Sequence, residues 1–168
     1  MSTPSDTQTA LQPEHARSAK RLAYFEDIVS APTRTFGPIV FSTALLDQLL
    51  DLMGEKHPVH DSDDFAKSTT HKQRIVPGGF IHSITSGWAV QHGMPGAVIG
   101  LKTVTWDFVR PLYPDTPFYF TTEVEYSEEL SERAGLLKTT RRVFYESKET
   151  IAIGRMTVIM AKRGPPNA

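Results

Sequence analysis

The chain has 168 residues, with 18 Lys and Arg against 19 Asp and Glu and 39% hydrophobic side chains. That length suits one domain with its own core. The near-zero net charge gives no electrostatic reason to expect nucleic acid or an anionic membrane as partner. The absence of cysteine excludes disulfides, thiolate metal sites and a Cys nucleophile.

Met1 to Ala10 is rich in Ser and Thr and lacks an apolar segment, so neither a signal peptide nor a membrane span is expected there. A cytoplasmic protein is the default expectation. Residues 1–20 read as a polar tail with a short helical piece over Pro13 to Arg21, residues 21–163 as one domain, and residues 164–168 as a second tail.

Tyr24 to Ile28 reads as a docked lead-in. Arg34 to Phe41 reads as a strand, and Gly37-Pro38 within it predicts an edge position or a bulge. Ser42 suits an N-cap, Ala44, Leu45, Leu49, Leu52 and Met53 recur at helical spacing, and Gly54 is a stop signal. Glu55 to Pro77 is long, polar and irregular in pattern, with short helical turns expected around Asp63 to Lys67.

From Gly78 to Gly93 the period is helical again. Phe80, Ile81, Ile84 and Trp88 share one face, and Gly79, His82, Ser83 and Ser86 the opposite one. The remainder alternates as strands do. Val104, Trp106 and Phe108 form one run, and Phe118, Phe120, Thr122, Val124 and Tyr126 a second. Leu136 to Tyr145 and Thr150 to Met160 read as a final antiparallel pair. The order predicts an α+β protein, an antiparallel sheet wrapped around one helix.

Two segments carry chemistry. Gly54-Glu55-Lys56-His57-Pro58-Val59-His60 sets a carboxylate and an imidazole five residues apart on a turn stiffened by proline. Pro77-Gly78-Gly79 opens a helix with two glycines, so backbone N–H groups can face a ligand at the positive end of the helix dipole. Together they supply an acid/base pair and an anion-stabilising corner, the parts needed for proton chemistry beside a carbonyl.

His57, His60 and His71 with Asp61, Asp63 and Asp64 form a ligand-rich loop, but no regular element fixes their geometry, and no metal is expected. There is no Gly-x-Ser-x-Gly elbow for a serine nucleophile. Neither a Gly-x-Gly-x-x-Gly nor a Walker pattern is present for nucleotides.

These residues resemble the MaoC-like dehydratases and (R)-specific enoyl-CoA hydratases, which have the hot-dog fold. The family signature Gly-Asp-x-Asn-Pro-(aliphatic)-His is matched by Gly54 to His60. The Ala that follows it is matched by Ala66, and the (basic)-Ile-(aliphatic)-His-Gly turn by Arg74-Ile75-Val76-Pro77-Gly78. Trp106 to Pro111, followed by Asp115, resembles the family hairpin. The likeness runs from Tyr24 to Lys162. Three positions depart from it: Glu55 stands for aspartate, His57 for asparagine and Pro77 for histidine.

The resemblance implies that Glu55 and His60 are catalytic, with His57 bonding the loop. Gly78 and Gly79 supply oxyanion donors, and Ser86 a supporting hydrogen bond. Lys72, Arg74 and Arg110 are the expected phosphate contacts. The implied reaction is hydration of enoyl thioesters, or dehydration of 3-hydroxyacyl thioesters, on CoA or an acyl carrier. The thioester is substrate, and no separate cofactor is expected. A homodimer or higher homo-oligomer is expected as well. The alternatives are a hot-dog thioesterase that turns Glu55 on the carbonyl carbon, and an acyl-CoA-binding subunit without activity.

Overall fold

A computed structural model describes residues 21–93 and 95–164. The expected N-terminal tail, the expected helical piece except Arg21, and the C-terminal tail except Gly164 lie outside the described residues. In chain order the elements are α1 (Phe25–Val29), β1 (Arg34–Val40), α2 (Thr43–Met53), α3 (Pro58–Asp61), α4 (Asp63–Ser68) and α5 (Gly78–His92). Then come β2 (Val98–Phe108), β3 (Pro117–Glu129), β4 (Ala134–Tyr145) and β5 (Thr150–Ala161). The strands form one antiparallel sheet in the order β1-β3-β4-β5-β2.

The local signals act as their chemistry requires. Ser42 Oγ accepts from Leu45 N at 3.1 Å and starts α2. Gly54 ends it with φ 67°, a left-handed cap that costs glycine little. Asp115 adds a long-range cap, accepting from Thr43 N at 3.1 Å and from Thr43 Oγ1 at 2.6 Å. β1 is an edge strand, and its register against β3 breaks between Phe36 and Ile39. Gly37-Pro38 therefore marks both an edge and an irregularity.

The sheet curls around α5, because the helix touches both edge strands. At its start, a Cβ on Gly78 would lie 2.6 Å from the Phe108 ring of β2. At its end, one on Gly93 would lie 3.7 Å from the Phe36 ring of β1. Between them Ile81 is buried with Phe41, Leu46, Leu50, Phe118, Phe120 and Ile151 in the main core. A smaller cluster seats Phe25 of α1 on Leu137 and Met160. Gly135 permits that docking, since a Cβ there would stand 2.4 Å from the Phe25 ring.

Two expectations shift. The buried stripe of α5 is centred on Ile81 and Thr85, while Phe80, Ile84 and Trp88 are only partly buried. Thr85 can go inside because its hydroxyl donates back to the Ile81 carbonyl at 2.7 Å. His82 and Ser86, expected on the polar face, are half-buried, and over the first ten residues of the helix Gly79, Ser83 and Gly87 are the exposed positions. β2 is also longer than its aromatic run suggested, and it is the other edge of the sheet. Val98, Ile99, Leu101 and Phe108 are each more than half exposed along it.

Candidate active site

The segment expected to be irregular between Glu55 and Pro77 contains two short helices. His57 N-caps the first, its Nδ1 accepting from Val59 N at 3.3 Å, and Pro58 occupies the first turn, where a missing N–H costs nothing. Ser62 caps the second, accepting from Phe65 N at 3.3 Å. His60 therefore sits on a helical turn.

The His60 ring is oriented by one strong contact. Its Nδ1 lies 2.8 Å from the Ile75 carbonyl oxygen. A carbonyl can only accept, so Nδ1 carries a proton toward it, and Nε2, the other ring nitrogen, has no hydrogen-bond partner among the described residues. His60 lines a cavity of about 450 Å³ together with Gly78, Gly79, Phe108 and Arg110. The imidazole and the first amides of α5 thus meet one hollow. These amides have no intrahelical acceptor, and they sit where the dipole favours negative charge. Gly79 has nothing within 4 Å of where a Cβ would stand, so the backbone there is uncovered.

Other expected residues take different places. Glu55 does not line this cavity. It is half-buried, and its Oε1 accepts from His57 N at 3.1 Å, closing the turn that leads into α3. Ser86 also lies outside the cavity and accepts from Arg141 Nη1 at 3.0 Å. Arg110 stands on the rim, about half exposed, with Nη1 donating to the Thr150 carbonyl at 3.2 Å. Lys72 is exposed beside His71, which lines the cavity.

Arg74 is not a free phosphate contact. Only 8% of it is exposed, and its guanidinium is held within the fold through Nε and Nη1. Nη1 donates to Asp47 of α2 at 2.6 Å and to the His60 carbonyl at 3.5 Å, and Nε donates to Asp63 of α4 at 3.0 Å. The hydrogen bond it donates to Asp47 raises its pKa further above the ordinary arginine value, against the effect of burial. Arg74 is a clamp that ties α2, α3 and α4 to the strand-like lead into α5. Lys56 adds a surface tie between Asp51 and Asp61.

Two residues near α5 were not singled out by the sequence pattern. Arg141 on β4 is buried, and the signal for it was present: the period-2 alternation puts it on the inward face with Leu137, Thr139 and Val143. His82 packs edge-on against Trp106, with ring centroids 5.9 Å apart, and its Nδ1 is buried without a partner among the described residues. Burial, and then the charge of Arg141, lower the His82 pKa below its ordinary value, so the ring is neutral at pH 7. Among the described residues no three His, Asp or Glu side chains gather as a metal site. No helix among them is long and apolar enough to cross a membrane.

The architecture is the hot-dog fold. A MaoC-like dehydratase from Rhodospirillum rubrum matches with a TM-score of 0.74 at 16% identity, over 85% of this chain and 99% of that one. An R-hydratase from Pseudomonas aeruginosa matches with a TM-score of 0.67 at 21% identity, over 86% and 95%. A monoamine oxidase regulatory protein from Archaeoglobus matches with a TM-score of 0.76 at 20% identity, over 84% and 96%. No protein-family model matches the sequence, and no curated protein matches it. The fold is therefore that of MaoC-like dehydratases and (R)-hydratases, carried by structure at a low level of identity.

The site generates two predictions. Arg74→Met removes charged hydrogen bonds to carboxylates that are themselves largely exposed, and should cost about 1–2 kcal/mol in urea denaturation. In a double-mutant cycle with Asp47→Asn, the two losses should be less than additive. The second concerns acid stability. The folded His82 ring resists protonation, whereas the unfolded one titrates near 6.5. As pH falls below that value the unfolded state binds more protons, so stability is full above it and declines toward the lower folded pKa. His82→Phe should flatten the acid slope relative to the parent chain. Parallel slopes for the two proteins would remove His82 as its source.

Proposed function

We propose that this protein is a hydratase/dehydratase acting on the double bond of an acyl thioester, an enoyl-CoA or its acyl-carrier equivalent. The observation that carries the reading is the meeting of an oriented His60 imidazole with the Gly78 and Gly79 amides in one cavity. The hot-dog fold common to a MaoC-like dehydratase and an R-hydratase supports it.

In this mechanism the thioester carbonyl oxygen lies against the α5 amides. Polarisation there makes the β-carbon electrophilic and stabilises the enolate-like charge that develops. Water loses a proton as its oxygen bonds to the β-carbon, and the α-carbon gains a proton as the double bond is lost. His60 Nε2 is one proton-transfer group. Glu55 is the second, and it serves once its carboxylate exchanges the His57 amide for the water. The reverse sequence eliminates water. Arg110 at the rim suits the phosphates of the carrier arm, and Lys72 is a further cation on the same side.

The reading includes a homodimer through β2. That strand is eleven residues long, lies at a sheet edge, and exposes Val98, Ile99, Leu101 and Phe108. A long apolar edge left unpaired is an aggregation hazard, and pairing with a second copy removes it.

Hydration of crotonyl-CoA, followed by loss of enoyl absorbance, should fall by about 10²-fold or more in His60→Ala with the fold intact. Glu55→Gln should show a comparable loss. Gly79→Ala should keep or raise stability, because alanine favours a helix by up to about 1 kcal/mol and nothing lies near its Cβ. Its methyl group should nevertheless raise KM. Unchanged turnover in His60→Ala would defeat the assignment, as would thiol release in place of hydration. Sedimentation should give a dimer that Leu101→Lys shifts toward monomer.

A further inference from the structure

A second cavity, of about 200 Å³, lies toward the other end of α5, between the segment after α1 and the strands β1, β3 and β4. Arg141 lines it and is only 7% exposed. Its Nε donates to Thr122 Oγ1 at 3.1 Å, and its Nη1 donates to Thr85 Oγ1 and Ser86 Oγ, each at 3.0 Å. The guanidinium lies 5.0 Å over the Phe120 ring. All three acceptors are neutral hydroxyls.

Arg74 makes the contrast. That buried guanidinium has carboxylates at 2.6 and 3.0 Å. Arg141 has no carboxylate within ion-pair distance among the described residues, and its Nη2 has no acceptor among them. Burial pushes its pKa down to about 10, which still leaves it cationic at neutral pH. The other charged side chains at the cavity are Arg34 and Glu123. Glu123 sits next to Thr122 in β3, so strand alternation sends its side chain to the opposite face from Thr122 and Arg141. His82, the remaining neighbour in Arg141's field, is neutral at pH 7.

A buried cation held only by hydroxyls is expensive, and its planar fork is complementary to a carboxylate. The hydroxyls also fix its orientation, so a ligand meets a pre-set donor. We propose that this cavity is a carboxylate-binding site, with Arg141 as its anchoring cation. The carboxylate has two possible sources. One is a small free carboxylic acid. The other is the far end of an acyl chain whose thioester lies at Gly79, and this source rests on the proposed hydratase reading. Gly79 and Ser86 are seven residues apart on one helix, or about 10 Å at 1.5 Å per residue.

The test begins with calorimetry on the full chain, using succinate and its neutral analogue succinamide. Succinate should bind saturably and succinamide should not. Arg141→Gln should weaken succinate by about tenfold or more, the scale of a charge-assisted hydrogen bond. Ala31→Trp, which adds bulk at an exposed residue lining the cavity and leaves Arg141 in the sequence, should do the same and serves if Arg141→Gln fails to fold. Absence of saturable succinate binding overturns the proposal. Equal binding of succinamide, or undiminished affinity in a folded Arg141→Gln or Ala31→Trp protein, overturns it too.

Kinetics then separates the sources. A preference of about tenfold for glutaconyl-CoA over crotonyl-CoA that Ala31→Trp abolishes assigns the carboxylate to the acyl chain. Succinate binding with equal rates on the two thioesters assigns it to a free acid. Succinate binding without any hydration keeps the site and sinks only the hydratase reading.

Discussion

The site depends on the Arg74 clamp. One buried guanidinium reaches Asp47 on α2, the His60 carbonyl on α3 and Asp63 on α4. The next residue along the chain, Ile75, supplies the carbonyl that orients the His60 ring. The same short segment therefore fixes the position of α3 and the tautomer of its histidine. Two helices of four and six residues could not keep their places by their own backbone bonds. Tertiary ties do it instead, and α5 begins three residues beyond Ile75.

The long helix supplies the other half of the arrangement. Its first turn borders the His60 cavity, and its middle carries hydroxyls that hold Arg141. Both ends lie against edge strands of the sheet, at Phe108 and Phe36. Small residues make this possible: Gly78 admits the Phe108 ring, and Thr85 buries a hydroxyl by bonding it within the helix. The two buried arginines divide the work. Arg74 is paired with the protein's own carboxylates, whereas Arg141 lines a cavity and has no carboxylate within ion-pair distance among the described residues.

The strands, the α2 cap and stop, and the α5 boundaries were legible because each rests on neighbours in sequence. Alternation in β4 and β5, Ser42 before α2 and Gly54 after it all act within a few residues. The edge character of β1 was legible for the same reason, since Gly37-Pro38 cannot sit in a regular central strand. The role of Arg74 was not legible. A basic residue beside a glycine turn suits a phosphate as well as a carboxylate, and its partner Asp47 lies 27 positions away. The local bond of Glu55 was not legible either, because sequence spacing from His60 does not say that its carboxylate accepts from the His57 amide.

The amino-acid order alone determined the α+β plan and the helix limits, since periodicity, caps and proline act over a few bonds. Only the tertiary structure decided which charges are neutralised and which stay free. Asp47 and Asp63 meet Arg74, and Thr85, Thr122 and Ser86 meet Arg141, across distances that no local rule spans. Burial, which sets the strength of those contacts, exists only once the sheet has closed around α5.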